Sequence, residues 1–137
     1  MHAPRLASLL LLAACAMDGL APAPSPEDGQ VLVERAAVLG GFMRAALACD
    51  LPVSTAAQDR AAMIETAALR RQQRRGGTAA RDAFLLAMQP PAFDPRQRGR
   101  DRGAWCARQR PDVERIAAWL DSAEGEEFAR RAEAAWR

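Results

Sequence analysis

Large apolar side chains are scarce in this sequence, and that scarcity limits the folds that are open to it. Half of the 137 residues are hydrophobic, but 32 of those are alanine, and aromatic residues make up only 5%. Alanine favours helices and lets them pack closely, yet each alanine side chain buries little apolar area. We therefore expect closely packed helices around a thin core, which would gain stability from a covalent cross-link.

Apolar residues recur at three- and four-residue spacing after the first 25 residues, and no segment shows the alternation that is typical of a strand. The first helix is predicted over about Pro26–Ala48 with Ser25 as its N-cap. Gly40-Gly41 in its middle indicates either a kink or the close approach of a neighbouring helix. A second helix is predicted to begin with a capping box at Thr55 and to end at Gly76-Gly77.

The C-terminal half continues the helical pattern. A short third helix is predicted to begin at Thr78, followed by a loop over Gln89–Gly103. Helical spacing resumes at Trp105, and Pro111 either kinks this helix or divides it. Ser122 is predicted to cap the last helix, which carries three Glu–Arg pairs at i,i+4 spacing (Glu126–Arg130, Glu127–Arg131 and Glu133–Arg137). The expected fold is an all-α bundle of four to five helices.

Two of the three cysteines, Cys49 and Cys106, fall inside the helical region. A disulfide between them is expected if the chain is exported, because small exported domains commonly use such bonds. The alternative is two buried free thiols. A redox-active pair is disfavoured by the absence of C-x-x-C spacing, and a zinc site by the absence of enough ligands.

The N-terminal residues have the pattern of an export signal. Arg5 precedes a nine-residue apolar run, Leu6–Ala14, which is too short to span a membrane and is typical of a signal peptide. The next segment, Leu12-Ala13-Ala14-Cys15, resembles the lipobox of bacterial lipoprotein precursors. That resemblance implies cleavage before Cys15, a lipid on its thiol, and, because Ala16 rather than aspartate follows, a place at the outer membrane.

The same residues also fit ordinary secretion. Ala14-Cys15-Ala16 matches an A-x-A cleavage site, and cutting there would leave a soluble periplasmic protein without Cys15. The predicted organisation is a signal peptide over residues 1–14, an Ala/Pro-rich tether over 15–29 and a helical domain over 30–137. Residues 25–28 of that tether also carry the start signal of the first helix.

The residue inventory excludes most catalytic chemistry. The only histidine is His2, and the chain has no lysine, tyrosine or asparagine. This removes Ser–His and Cys–His nucleophiles, Schiff-base lysines and His-ligated metals or haem, so we expect no cofactor and no metal. The remaining option is carboxylate acid–base chemistry, for which the candidates are Glu34, Asp50, Asp59, Glu65 and Asp82. The alternative is that each of these carboxylates is a solvated charge on a helix surface or a helix cap, without a catalytic role.

Positive charge is concentrated in one stretch. Residues 70–110 hold 11 arginines and three aspartates, a net charge of +8, while each flanking region carries −3. Arg74 and Arg75 close the second helix, and Arg96, Arg98, Arg100 and Arg102 alternate along the predicted loop. Arginine forks suit phosphates and carboxylates, so these six residues are a candidate weak anion-binding surface. The alternative is that the loop arginines are solvated without a fixed partner, and that Arg74 and Arg75 interact favourably with the negative C-terminal end of the second helix.

These features favour a non-enzymatic binding or structural protein of the bacterial envelope. Its expected partners are the membrane, through the lipid, and an anionic envelope component or another protein, but not nucleic acid. A first alternative is a periplasmic holdase, since acid-stress chaperones are similar in size and cysteine count, without a shared motif. A second alternative is a carboxylate-dependent enzyme.

Overall fold

The computed structural model describes residues 24–137, so the predicted signal peptide and Cys15 lie outside the described residues. Within that range the chain is all-helical, as predicted, and contains no strand. Its helices are α1 (Gly29–Ala48), α2 (Thr55–Ala87), α3 (Arg100–Asp121) and α4 (Ala123–Ala135), with a short 3-10 turn over Pro95–Gln97. None of these described helices has both the length and the apolar character needed to cross a bilayer.

The first helix begins three residues later than predicted. Asp28, not Ser25, is its N-cap, because the Asp28 carboxylate accepts hydrogen bonds from the backbone N–H groups of Gln30 and Val31. Ser25 and its neighbours instead pack against α4, and Pro26 is fully buried there. The tether predicted over 15–29 therefore gives way to folded structure by Ser25.

The second helix begins at the predicted residue but with a different cap. The Ser54 hydroxyl, rather than that of Thr55, accepts a hydrogen bond from the backbone N–H of Ala57. The break predicted at Gly76-Gly77 is confirmed, because Gly77 adopts a left-handed φ of 64° and divides α2 into two helical halves. The second half, which follows Gly77, is the short helix predicted from Thr78.

The predicted loop over Gln89–Gly103 is shorter in the structure. The Asp94 carboxylate caps the 3-10 turn, and Gly99, with a φ of 82°, leads directly into α3. The last four residues of the predicted loop are thus helical. Pro111 lies inside α3, which continues through it as one helix, so the alternative of two helices is wrong. Ser122 caps α4 as predicted, accepting a hydrogen bond from the N–H of Gly125.

The core lies between α2 and the three other helices and is lined largely by alanine. Leu32, Ile64 and Leu120 are its largest fully buried apolar side chains. Gly40 shows how close the packing is, because a Cβ atom there would overlap the sulfur of Met88 at the end of α2. The close approach predicted at Gly40-Gly41 is confirmed for its first residue.

A second, smaller apolar cluster surrounds the cross-link. Ala45, Ala46, Leu51 and Val113 are buried together beside Cys49. The predicted disulfide is confirmed: the Cys49 and Cys106 sulfurs lie 1.98 Å apart, with their Cα atoms 5.5 Å apart. It joins the residue after α1 to the second turn of α3, across 57 residues of sequence.

The ion pairs of α4 differ from the three that were predicted. Only Glu133–Arg137 forms, at 3.9 Å. Glu127 instead pairs with Arg130, while Glu126 and Arg131 reach across the bundle to Arg60 (2.6 Å) and Glu27 (2.7 Å). The predicted Glu126–Arg130 and Glu127–Arg131 pairs are therefore wrong, because partners on other elements compete with local spacing.

Candidate anion-binding site

The six arginines predicted to form one anion-binding surface lie at opposite ends of the bundle. At the start of α1, a Cβ atom on Gly29 would overlap the side chain of Arg71. At the other end, Arg102 donates a hydrogen bond to the carbonyl oxygen of Ala48, the last residue of α1. With a rise of 1.5 Å per residue, α1 separates the two points by about 28 Å. We call the end of the bundle near Gly29 the terminal end and the end near Ala48 the disulfide end.

The terminal end carries the terminal arginine cluster, which consists of Arg70, Arg71, Arg74 and Arg75 on α2. The guanidinium carbons of Arg71 and Arg74 lie 5.8 and 5.9 Å from the ring centre of Trp136. Arg74 also donates to the carbonyl oxygen of Arg137 at 2.6 Å. Within residues 24–137, no arginine of this cluster pairs with an Asp or Glu side chain.

A shallow groove lies along this cluster. It has a volume of about 430 Å³ and is lined by Thr66, Leu69, Arg70, Gln73, Arg74 and Arg81. Arg81 comes from the half of α2 that follows the Gly76-Gly77 break, so the break brings a third guanidinium to the groove. We call this feature the arginine groove. No carboxylate lines the groove, and although Arg81 pairs with the adjacent Asp82, Arg70 and Arg74 have no Asp or Glu partner among the described residues, which is a composition that suits an anion.

The chain enters the domain at the same end. The indole N–H of Trp136 donates to the carbonyl oxygen of Pro26 at 2.9 Å. Arg131 forms two hydrogen bonds with Glu27, and this contact, with a further bond from Ser25, lowers the pKa of Glu27 to about 2. Residues 25–28, which we call the stem, are therefore fixed against α4.

The disulfide end carries the loop arginine cluster, which consists of Arg96, Arg98 and Arg100. All three residues are exposed, and none of them forms an ion pair with a carboxylate of the described chain. The loop that presents them has internal hydrogen bonds. Asp94 accepts from the N–H of Arg96 at 2.9 Å, and its own N–H donates to Asp101 at 2.7 Å.

Two further contacts hold this loop on the bundle. The rings of Phe93 and Trp105 meet edge to face, with their centres 5.5 Å apart. Trp105 is followed in sequence by Cys106, so the disulfide anchors the same segment. The loop cluster is thus presented by an ordered turn rather than by a long unstructured loop.

Arg102 reaches the end of α1, whereas Arg100 donates only to Gln97 within the loop. The Arg102 guanidinium donates to the Ala48 carbonyl oxygen and pairs with Asp50 at 3.0 Å. A cation at this position satisfies the end of α1 and interacts favourably with the helix dipole. Of the four alternating arginines, three are presented to solvent without a carboxylate partner and one is used by the fold.

The five candidate carboxylates have separate surroundings. Glu65 forms a two-pronged ion pair with Arg44 (2.8 and 3.0 Å), which raises the pKa of Arg44. Asp50 pairs with Arg102, Asp82 with Arg81, and Glu34 accepts from Gln30. Asp59 lines a shallow groove that also contains Arg70 and Glu133. Among residues 24–137, no three or more Asp, Glu, His or Cys side chains are grouped so that they could hold a metal ion.

An apolar groove of about 300 Å³ separates α1 from α2 near the disulfide end. Met43, Leu47, Leu51 and Val53 contribute to its walls, and Leu47 is 81% exposed. Its one acidic side chain, Glu65, already pairs with Arg44. Because no arginine lines this groove, it offers no cation to an anionic ligand.

Sequence reasoning missed most of the terminal end. It identified Arg74 and Arg75 but gave no role to Trp136 or Arg81, and it paired Arg131 with Glu127 rather than with Glu27. The Trp136–Pro26 hydrogen bond joins residues 110 positions apart, and no local pattern signals such a contact. Comparison of the chain with protein-family models, curated proteins and solved structures found no match.

Proposed function

We propose that this chain is an exported, non-enzymatic binding protein of the bacterial envelope. In this proposal a lipid on Cys15 holds it at a membrane, and the loop arginine cluster binds an anionic polymer of the cell wall. The observation that carries the proposal is the presentation of three exposed arginines, without carboxylate partners in the described chain, on one ordered turn.

The chemistry of arginine supports this proposal. A guanidinium presents several N–H donors in a flat fork that matches carboxylate and phosphate oxygens. The turn is held by Asp94, by the Phe93–Trp105 contact and by the nearby disulfide. Binding therefore requires less ordering of the backbone than it would on a mobile loop.

The position of the loop cluster favours a partner that lies away from the anchor. The stem leaves the domain at the terminal end, and the loop cluster lies at the disulfide end, about 28 Å away along α1. Cell-wall polymers carry carboxylates and lie beyond the membrane surface. They fit this geometry better than the headgroups of the anchoring membrane do.

One sequence feature and one structural feature support export and anchoring. Leu12-Ala13-Ala14-Cys15 resembles a lipobox, and a disulfide persists more readily in an oxidising compartment than in the cytosol. The intact mass of protein extracted from membranes tests the anchor. A chain that begins with an acylated Cys15 supports it, and a chain that begins after Cys15 contradicts it.

Binding is tested by co-sedimentation of the Ala16–Arg137 chain with isolated cell-wall sacculi at low and high salt. Arg96→Gln, Arg98→Gln and Arg100→Gln together should weaken binding at least tenfold at low salt. The matched control replaces Arg70, Arg74 and Arg75 with glutamine, which removes the same charge from the other end. If both triple variants weaken binding to sacculi equally, the binding depends only on net charge, which would contradict a specific site at the loop.

A further inference from the structure

We propose that the arginine groove at the terminal end docks on anionic lipid headgroups of the membrane that holds the anchor. This inference rests on the proposed lipid at Cys15. It gives the domain an orientation, with the terminal end against the bilayer and the disulfide end directed away from it.

The position of the stem is the first argument. Nine residue steps separate Cys15 from Pro24, and even a fully extended chain spans at most about 3.6 Å per residue. The distance between Cys15 and Pro24 therefore cannot exceed about 32 Å. Trp136 and Arg131 fix the stem against α4, so the described part of the chain begins at the terminal end.

The arginine groove shares this end with the stem. Trp136 connects the two features, because its indole N–H donates to Pro26 and its ring lies near the guanidinium groups of Arg71 and Arg74. Arg74 is also part of the groove lining. The contacts that fix the root of the tether therefore also position the groove beside it.

Charge is the second argument. At this end Arg131 is neutralised by Glu27, Arg137 by Glu133, and Arg81 by Asp82. The terminal arginine cluster adds four positive charges. Two acids near it lie outside these ion pairs, Asp28, which caps α1, and Asp59, which lines a groove with Arg70, and Arg74 donates to a main-chain oxygen of Arg137. A net positive charge remains, on forks that match lipid phosphates.

The loop cluster cannot contribute to the same contact. About 28 Å separates the two ends, whereas electrostatic attraction decays over about 8 Å at physiological salt. A membrane that touches the arginine groove therefore leaves the loop cluster several screening lengths away. The two arginine clusters would act on different partners at the same time.

Vesicle co-sedimentation of the Ala16–Arg137 chain tests the docking without needing the lipid. Each arginine near an anionic surface strengthens binding about fivefold, so Arg70→Gln, Arg74→Gln and Arg75→Gln together should weaken it about 100-fold. The measurement uses phosphatidylglycerol vesicles at low salt, with phosphatidylcholine vesicles as the neutral reference. Arg96→Gln, Arg98→Gln and Arg100→Gln form the charge-matched control and should change binding less than threefold.

A second measurement leaves the chain unmodified. The mature lipoprotein is reconstituted in phosphatidylglycerol vesicles and treated with phenylglyoxal, which modifies exposed arginines, and the sites are read by mass spectrometry. Arg70, Arg74 and Arg75 should be protected relative to phosphatidylcholine vesicles, while Arg96, Arg98 and Arg100 should react equally in both. High salt should remove the protection.

The outcomes separate this inference from the proposed anchor. Equal effects of the two triple variants, or protection of the loop cluster instead of the terminal cluster, would overturn the docking. In that case an acylated Cys15 in the intact mass would still support the anchor. Conversely, a chain without a lipid but with terminal-cluster-dependent vesicle binding would overturn the anchor while supporting an anionic-lipid surface.

Discussion

The two ends of the bundle use arginine in different ways. At the disulfide end Arg102 binds the Ala48 carbonyl and pairs with Asp50, so its charge is matched by a carboxylate. At the terminal end Arg71 and Arg74 lie near the ring of Trp136, and Arg74 binds a backbone carbonyl. These contacts use the arginines for packing without cancelling their charge with an acidic side chain.

This difference separates structural contact from electrostatic neutralisation. A guanidinium can stabilise a fold through its aliphatic stem, its flat face and its donors while remaining a net cation. The terminal end therefore combines a fixed entry point for the chain with a positive surface. The disulfide end is instead held covalently, and its loop arginines make no side-chain contact with another helix among the described hydrogen bonds and ion pairs; Arg100 donates only to Gln97 in the same loop.

The largest expected effect concerns the covalent link. Replacing Cys49 and Cys106 with serine together should lower the free energy of unfolding by about 4 kcal/mol, because a loop of 57 residues is no longer closed in the unfolded chain. The melting temperature followed by circular dichroism should fall by 10 °C or more, taking roughly 3–5 °C per kcal/mol for a domain of this size. A reductant should have the same effect on the parent and none on the variant. A parent that melts equally with and without reductant would contradict a stabilising disulfide.

The corresponding test at the terminal end removes Trp136. Trp136→Ala should cost about 2–3 kcal/mol, since it loses ring packing, a hydrogen bond to Pro26 and the contacts of Arg71 and Arg74. Trp136→Phe keeps a ring but not the N–H donor, so it should cost about 1 kcal/mol. Urea unfolding measures both. If the two variants are equally stable, the ring contacts contribute nothing and the comparison between the ends is wrong.

The sequence was sufficient to predict features that depend on local signals. Helical spacing, the break at Gly76-Gly77, the Ser122 cap and the cysteine pair were all confirmed. Each rests either on a propensity that acts within a few residues or, for the two cysteines, on there being one possible pairing in the helical region. The all-helical fold follows from the same signals.

The sequence was insufficient where a distant partner decides between local options. Ser25 offers a good cap but lies against Arg131, so Asp28 takes that place. The four alternating arginines look equivalent in sequence, yet Arg102 meets Ala48, 54 positions away. The prediction of a single anion-binding surface is wrong for the same reason. Helical periodicity does not show at which end of the bundle a residue lies, so the six arginines form two separate clusters.

A smaller effect is expected within the disulfide end itself. Arg102→Gln should lower stability by about 0.5–1 kcal/mol, because the last carbonyl of α1 loses a cationic donor. Arg98→Gln removes the same charge from the same end of the bundle but no such contact, so its stability should match that of the parent. Chemical denaturation of the three proteins measures the difference. Equal loss in both variants would indicate a general charge effect and remove the distinction between Arg102 and its neighbours.

The smallest expected effect is a pH dependence at the stem. Hydrogen bonds from Arg131, followed by that from Ser25, hold the pKa of Glu27 at about 2, below its ordinary value of 4.5. Because the pKa is lowered in the folded state, the contact stabilises the domain above pH 4.5, and this contribution is lost as the pH falls towards 2. The stability difference between the parent and Glu27→Gln should therefore be constant near neutral pH and shrink between pH 4.5 and 2. Urea unfolding across that range measures it, with Glu124→Gln as a control on an exposed glutamate that has no ion pair in the described chain. A difference that does not change with pH would show that the Glu27 carboxylate does not hold the stem, which would then depend on Trp136, the buried Pro26 and the hydrogen bond from Arg131 to Ser25.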